Sequence, residues 1–201
     1  RYELGRPKGD WLVPSERMST PDTMQPSPPQ PHRALSEISE KERQIAHKVM
    51  REMTSRPYLF AVVTGTHQYG FTSFDNDIDV RGAWVDPIKL HLGLAPPKTS
   101  HIDYMGVIDD KEVDGVAFEV RRFMDLVLKG SGNLIEELFS PIVLYDSGYL
   151  EPLKDAVHSC LTRRVVRHYL GFFDSCIKKL RHKTKLPEVK SALYATRIAL
   201  T

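Results

Sequence analysis

Residues 64–82 read TGTHQYGFTSFDNDIDVRG, the most informative stretch of this 201-residue chain. The apolar run 58–63 (YLFAVV) precedes it. That run is short, rich in aromatic and β-branched residues and follows Arg56-Pro57, which predicts a buried strand. The strand opens into Gly65-Thr66, where backbone N–H groups and a hydroxyl can point at an anion. The stretch therefore predicts a buried strand followed by a phosphate-binding turn.

An acidic strand is predicted at the far end of the same stretch. Residues 77–80 (DIDV) alternate acid and apolar, so on a strand of period two Asp77 and Asp79 share one face. Two carboxylates on one face repel each other unless a cation lies between them. Oxygen ligands of this kind suit hard divalent ions such as Mg²⁺. Asp75 is an alternative ligand only if the strand already begins there, and a loop position is the expectation.

These features resemble the signature of the polymerase-β-type nucleotidyltransferases, in which a Gly-Ser or Gly-Gly turn precedes Asp-x-Asp. Tyr69-Gly70 inside the loop and residues 77–82 (DIDVRG) closing it are similar to the RNA-repair-pathway polymerase-β-family proteins, or RlaP type. Thr66 stands where that family usually has Ser, which keeps the hydroxyl.

The resemblance implies an α/β fold of the α+β kind. We expect a short mixed sheet with flanking helices and a C-terminal helical subdomain that forms the other wall of a cleft. It also implies that an acceptor hydroxyl attacks the α-phosphate of a nucleoside triphosphate, with ATP expected, and releases pyrophosphate. Asp77 and Asp79 would bind two Mg²⁺ ions, with Mn²⁺ as an alternative, while Gly65 and Thr66 would hold the triphosphate. RNA ends are the acceptor that the resemblance suggests.

Two-metal transfer uses a third acid, and Glu119 is predicted to supply it. Glu119 interrupts the apolar run 116–120 (VAFEV) just before a helix, and residues 122–141 also resemble the RlaP pattern. The alternative for Glu119 is an edge-strand carboxylate that faces water. Asp114 is interpreted as a turn residue, because it lies in the turn-like segment 109–115 beside Gly115.

Basic and aromatic side chains are predicted to complete the nucleotide site. Arg81 shares a face with Asp79 by period two, and it either pairs with the acids or contacts phosphate. In proteins of the resembling type, C-terminal helices often close over the nucleotide. Lys178, Tyr194 and Arg197 are predicted to do so here, and Lys190 has the matching chemistry.

Composition divides the chain into three parts. Residues 1–33 hold half of the fourteen prolines and are predicted to form a flexible Pro-rich tail. Residues 34–150 would be the catalytic domain and residues 151–201 a C-terminal helical region. The chain does not begin with Met and ends at Leu200-Thr201 within a predicted helix, so we expect a fragment whose C-terminal portion is truncated. Cys160 and Cys176 are too far apart for a redox or metal motif and are expected to be buried thiols.

Charge and hydropathy restrict the classes of binding partner that we expect. No apolar run approaches the length of a membrane span, so we expect a cytoplasmic protein with no membrane partner. Residues 163–197 carry ten Lys or Arg against two acids, which indicates either a phosphate-facing surface or a solvated helix face. Two other functions stay open: an adenylyltransferase of protein or small molecules, including the antitoxin type, and a non-catalytic nucleotide-binding module. The oligomeric state is also open.

Overall fold

A mixed five-stranded sheet lies at the centre of the computed structural model, which describes residues 38–70, 77–95, 99–181 and 189–200. The predicted tail and Asp75 lie outside these residues. The strands are β1 (Tyr58–Val63), β2 (Ile78–Trp84), β3 (His101–Ile108), β4 (Lys111–Glu119) and β5 (Ile142–Asp146). They are ordered β3-β4-β2-β1-β5; β2 and β4 pair in parallel and the other neighbours pair antiparallel. The predicted fold class is confirmed.

Helices cover both faces of this sheet. They are α1 (Glu40–Met53), α2 (Gly65–Tyr69), α3 (Ile88–His91), α4 (Val120–Leu128), α5 (Gly132–Leu138), α6 (Leu150–His158), α7 (Arg163–Leu180) and α8 (Val189–Leu200). None of the described helices is both long and apolar enough to cross a lipid bilayer.

The first face of the sheet packs against α1. Ser39 caps this helix in a capping box with Glu42, which satisfies backbone N–H groups that have no partner within the helix. One stripe of α1 is buried against the sheet. The stripe contains Ile45, Val49 and Met53, and the strand residues beneath it include Ile78, Val80, Trp84, Val113 and Ala117.

The second face carries the polar side chains of β2. Side chains of a strand alternate between its two faces. Because Ile78 and Val80 point toward α1, Asp79 and Arg81 point to the other face. The apolar residues of that face, among them Phe60, Val62, Ala83, Phe123 and Leu138, join the sheet to α4, α5, α6 and α7.

The hairpin between β3 and β4 differs from its predicted position. The turn contains only Asp109 and Asp110, both with positive φ (50° and 64°), and β4 already starts at Lys111. Asp114 therefore lies inside a strand, and its interpretation as a turn residue is wrong. The misleading signal was Gly115, which lies within the strand and close under α1: a Cβ there would lie 2.6 Å from Met53 Sδ and 3.1 Å from Val49 Cγ1.

Two further elements matter for the site. Strand β5 was not predicted, and it pairs with the edge of β1. Between α5 and β5, the Ser140 hydroxyl donates to the Val63 carbonyl at the end of β1. This bond fixes α5 beside the turn that begins at Thr64.

Candidate active site

The acids of two neighbouring strands meet because β2 and β4 run parallel. Asp79 of β2 pairs in register with Asp114 of β4. Arg81, two residues further along β2, bridges them: its Nη2 lies 3.0 Å from Asp79 Oδ1 and 2.9 Å from Asp114 Oδ2. Arg81 Nη1 also donates to the Asp114 carbonyl at 2.8 Å. Of the two predicted roles for Arg81, the structure shows the pairing with acids.

The Asp79 carboxyl lies in an electrostatically unusual position. Burial raises its pKa, and the charges of Asp114 and Asp77 raise it further, while Arg81 and Lys190 act in the opposite direction. Asp77 itself is exposed and directly precedes β2. These carboxylates are therefore close enough to influence one another.

The turn after β1 packs directly onto Asp79. The Thr64 N–H donates to the Asp79 carbonyl at 2.9 Å, and Gly65 follows with φ +66°. A Cβ on Gly65 would lie only 1.8 Å from Asp79 Oδ2, so glycine is required for this close approach. Thr66 is buried and is not among the residues that line the adjacent cavity, whereas Thr64 and Gly65 are. The backbone of the turn, rather than the Thr66 side chain, faces the site.

A cavity of about 290 Å³ opens above this turn. Its described wall combines acids and bases with aromatic rings. The residues are Thr64, Gly65, Gln68, Tyr69, Asp79, Arg81, Asn133, Glu136, Glu137, Phe172, Lys190, Tyr194 and Arg197. The volume and mixed polarity suit a small charged ligand with an aromatic part.

Helix α8 forms one side of the cavity. Lys190, Tyr194 and Arg197 are spaced four and three residues apart, so they lie on one helical face. The structure thus places two predicted nucleotide-site residues, Tyr194 and Arg197, at the cavity. Lys178 is exposed on α7 and is not in the cavity wall, whereas Lys190 is part of that wall.

Glu136 connects α8 with α2 and with the long helix α7. Its carboxylate accepts hydrogen bonds from the Tyr69 hydroxyl, from the Tyr169 hydroxyl at 2.7 Å and from Arg197 Nη1 at 2.7 Å. The Arg197 guanidinium also lies over the Tyr69 ring, 4.1 Å from its centroid, and 5.5 Å from that of Tyr194. Burial, followed by the bond to Glu136, raises the pKa of Tyr69. These contacts fix the aromatic end of the cavity.

The structure does not bring Glu119 to the acidic pair. Glu119 pairs with Trp84, five residues beyond the Asp79–Asp114 pair, which is about 17 Å along the strands. Alternation also puts it on the opposite side of the sheet from Asp114. Its carboxylate caps α4 by accepting from the Arg121 N–H at 2.9 Å. The predicted position of Glu119 beside Asp77 and Asp79 is corrected, and Asp114 is the acid of β4 next to Asp79.

Glu137 is a buried acid in the cavity wall that the sequence prediction missed. The residue is 7% exposed, and its Oε2 has no hydrogen-bond partner among the described residues. Burial raises the pKa of Glu137 to about 8; Arg81 lowers it and Glu136 raises it. A signal was present, because Glu137 lies three residues after Leu134 and one before Leu138, on the buried stripe of α5.

We expect the pKa of Glu137 to make stability fall as pH rises. A carboxyl whose pKa is higher in the folded chain binds its proton more tightly there, so its stabilising effect is complete below pH 4.5, its ordinary pKa, and is lost by about pH 8. The slope for one such group is at most about 1.4 kcal/mol per pH unit. Urea unfolding at intervals from pH 5 to 8 should show a steeper decline for the wild type than for Glu137→Gln. Parallel curves would contradict the assignment.

The carboxylates at the cavity have suitable ligand atoms for a divalent cation, but they do not form a preorganised metal site. Within the described ranges, no three His, Cys, Asp or Glu side chains are grouped closely enough to hold a metal. Asp77, Asp79 and Asp114 nevertheless offer the carboxylate oxygens that Mg²⁺ and Mn²⁺ accept. Arg81 now holds Asp79 and Asp114, so a cation shared by these acids requires Arg81 to release at least one of them.

Comparison with known proteins agrees with this geometry. A mixed sheet with an acidic strand beside a glycine turn is the arrangement of a polymerase-β-like nucleotidyltransferase domain. The family model RlaP, described as "RNA repair pathway DNA polymerase beta family", matches residues 31–201. The chain belongs to this family, which confirms the predicted resemblance.

Individual relatives are more distant. An uncharacterized protein of Methanocaldococcus jannaschii is 30% identical over 139 residues, which are 69% of this chain and 56% of that protein. The chain thus spans little more than half the length of this relative. Among solved structures, a nucleotidyltransferase-like protein from Exiguobacterium sibiricum 255-15 aligns with a TM-score of 0.44 and 8% identity, covering 69% of this chain and 46% of that chain.

Proposed function

We propose that this domain transfers a nucleoside monophosphate from a nucleoside triphosphate, ATP in the first instance, to an acceptor hydroxyl. One observation carries the proposal: the Asp79 carboxylate lies against the backbone of Gly65, at the mouth of a cavity that also contains Lys190. Backbone amides and a lysine attract phosphate, and the neighbouring carboxylates attract its counter-ion. Few ligands other than a metal-bound polyphosphate would use both the phosphate-binding groups and the cation-binding carboxylates.

Each group of residues at the cavity has a role that follows from its chemistry. The N–H groups of the Gly65 turn and the Lys190 ammonium hold the triphosphate, while the aromatic end of the cavity receives the base. Asp77, Asp79 and Asp114 would hold Mg²⁺ or Mn²⁺, which when bound neutralises phosphate charge and polarises the reacting oxygens.

The reaction forms one bond and breaks one bond at the α-phosphorus. The acceptor oxygen bonds to this phosphorus, and the bond between it and the bridging oxygen of the β-phosphate breaks. Pyrophosphate carries away that electron pair. The acceptor proton passes to an Asp114 carboxylate oxygen, because Asp114 is the more exposed of the two paired acids, with its side chain 38% exposed against 23% for Asp79.

RNA is the acceptor that we favour over protein or a small molecule. The family description names RNA repair, and the start of α7 offers a basic surface. Arg163, Arg164 and Arg167 line a cavity of about 490 Å³ there. His168, the next residue, lies 3.4 Å from Asn133 Oδ1, and Asn133 belongs to the wall of the active cavity. A polyanion could therefore follow α7 from these arginines to the cavity.

The test is label transfer from each α-³²P-labelled triphosphate, with Mg²⁺, to RNA oligomers and to a protein mixture. We expect label on RNA for the wild type and a loss on the order of 100-fold or more for Asp79→Asn. Asp155→Asn, an exposed change on α6, is the matched control and should keep full activity. Label on protein would move the proposal to protein adenylylation. Nucleotide binding without any label would leave a non-catalytic nucleotide-binding module.

A further inference from the structure

Glu137 has a buried carboxylate oxygen that no described residue satisfies. Glu137 belongs to the wall of the cavity, and its Oε2 is buried without a hydrogen-bond partner in the described part of the chain. Such an atom destabilises the folded chain unless something binds it, and buried polar atoms without partners are rare. The position of Glu137 in the cavity makes a ligand the natural partner.

Rigid surroundings hold this carboxyl in place. Leu138, the next residue, is fully buried, and Ser140 ties the end of α5 to the Val63 carbonyl. Glu137 therefore cannot easily turn out to solvent. A polar group held in this way is suited to recognition, because little conformational entropy is lost when a ligand binds it.

Glu137 lines the same cavity as both the acidic end and the aromatic end. Asp79 and Arg81 form the acidic end of this wall, and Glu136, the residue just before Glu137 on α5, binds Tyr69 at the aromatic end. In a nucleotide, the sugar is the part that lies between phosphate and base.

We propose that Glu137 hydrogen-bonds a sugar hydroxyl of the bound nucleotide and thereby makes the site selective for that hydroxyl. The proposal rests on the proposed function, since it concerns the nucleotide of that reaction. The proposed function already assigns the triphosphate to the Gly65 turn and Lys190, so a phosphate is not the expected partner of Glu137. A sugar hydroxyl both donates and accepts, and carboxylates bind ribose hydroxyls in other nucleotide sites.

The electrostatic state of Glu137 agrees with this role. Burial raises its pKa to about 8, so near neutral pH the carboxyl is mostly protonated and can donate as well as accept. A site built to pair with a hydroxyl discriminates strongly against an analogue that lacks it, because its own polar group is then left unpaired.

Calorimetric titration with ATP, 2′-deoxy-ATP and 3′-deoxy-ATP, without an acceptor, tests the proposal. We expect the wild type to bind ATP about ten- to 100-fold more tightly than at least one deoxy analogue. Glu137→Ala should bind all three equally, and Glu137→Gln should recover part of the preference because its amide can pair with a hydroxyl. Glu137→Met fills the same buried space without a polar group and serves if the Ala variant does not fold. Glu112→Gln, an exposed change on β4, should match the wild type.

The outcomes separate this proposal from the proposed function. Equal binding of the three nucleotides by the wild type, or an unchanged preference in Glu137→Ala and Glu137→Met, would overturn the role of Glu137 alone. If none of the nucleotides binds, with or without Mg²⁺, both the role of Glu137 and the nucleotidyl-transfer function fall.

Discussion

Replacing Gly65 by alanine should abolish nucleotide binding and transfer. The new Cβ would lie 1.8 Å from Asp79 Oδ2 and 2.8 Å from Asp79 Cγ, so the carboxylate has to move. Asp79 cannot move freely, because its other oxygen is bound to Arg81 at 3.0 Å. The turn also needs φ +66°, which costs a non-glycine residue about 1 kcal/mol. We expect affinity for Mg²⁺-ATP to fall on the order of 100-fold, with transfer no longer measurable.

Two other glycines serve as controls that separate the steric contact with Asp79 from the backbone effect of replacing a glycine. Gly148 has φ +90° with open space around its Cβ position, so Gly148→Ala should cost stability alone, about 1 kcal/mol. Gly171 lies within α7 and is also unobstructed, so Gly171→Ala should stabilise the chain by up to about 1 kcal/mol. Calorimetric binding and urea unfolding of the three variants provide the comparison. Tight nucleotide binding by Gly65→Ala would show that the contact with Asp79 is not needed.

Local sequence was sufficient to predict the first strand, the glycine turn and the acidic strand. Each is defined by residues within a few positions of one another: Gly65 by the turn it opens, and Asp79 by its alternation with Ile78 and Val80. Short-range physics therefore gave the element types and the class of protein.

The partners of the acidic strand could not be predicted in the same way. That Asp114 lies beside Asp79 depends on the parallel register of β2 and β4, which joins residues 35 positions apart. Local sequence also made Gly115 a turn signal. The tertiary reason for a glycine there is its close approach to Met53 of α1, which the sequence around Gly115 does not reveal. On the C-terminal helices, composition indicated the right chemistry, but helical phase decides that Lys190 rather than Lys178 lines the cavity.

Asp114→Asn and Glu119→Gln should have opposite effects. Asp114 pairs with Asp79 at the cavity end of β2, so the loss of its charge should reduce transfer on the order of 100-fold or more. Its side chain is 38% exposed, so stability should change little. Glu119 caps α4 about 17 Å along the strands from Asp79, and Gln is a poor cap, so Glu119→Gln should lose about 1 kcal/mol of stability. Its transfer rate below the unfolding transition should stay within about threefold of wild type, well inside the effect of one lost contact in the site.

Measuring both quantities for both variants decides which acid belongs to the site. Transfer rates with Mg²⁺ and urea unfolding should be measured at the same pH. We expect a crossed pattern, in which Asp114→Asn loses transfer but not stability and Glu119→Gln loses stability but not transfer. If Glu119→Gln were inactive and Asp114→Asn active, Glu119 would be the third acid of the site. That result would also require β4 to pair with β2 in a different register. The crossed pattern instead ties catalysis to strand register, because Asp114 reaches Asp79 only while β2 and β4 keep the parallel alignment that Arg81 bridges.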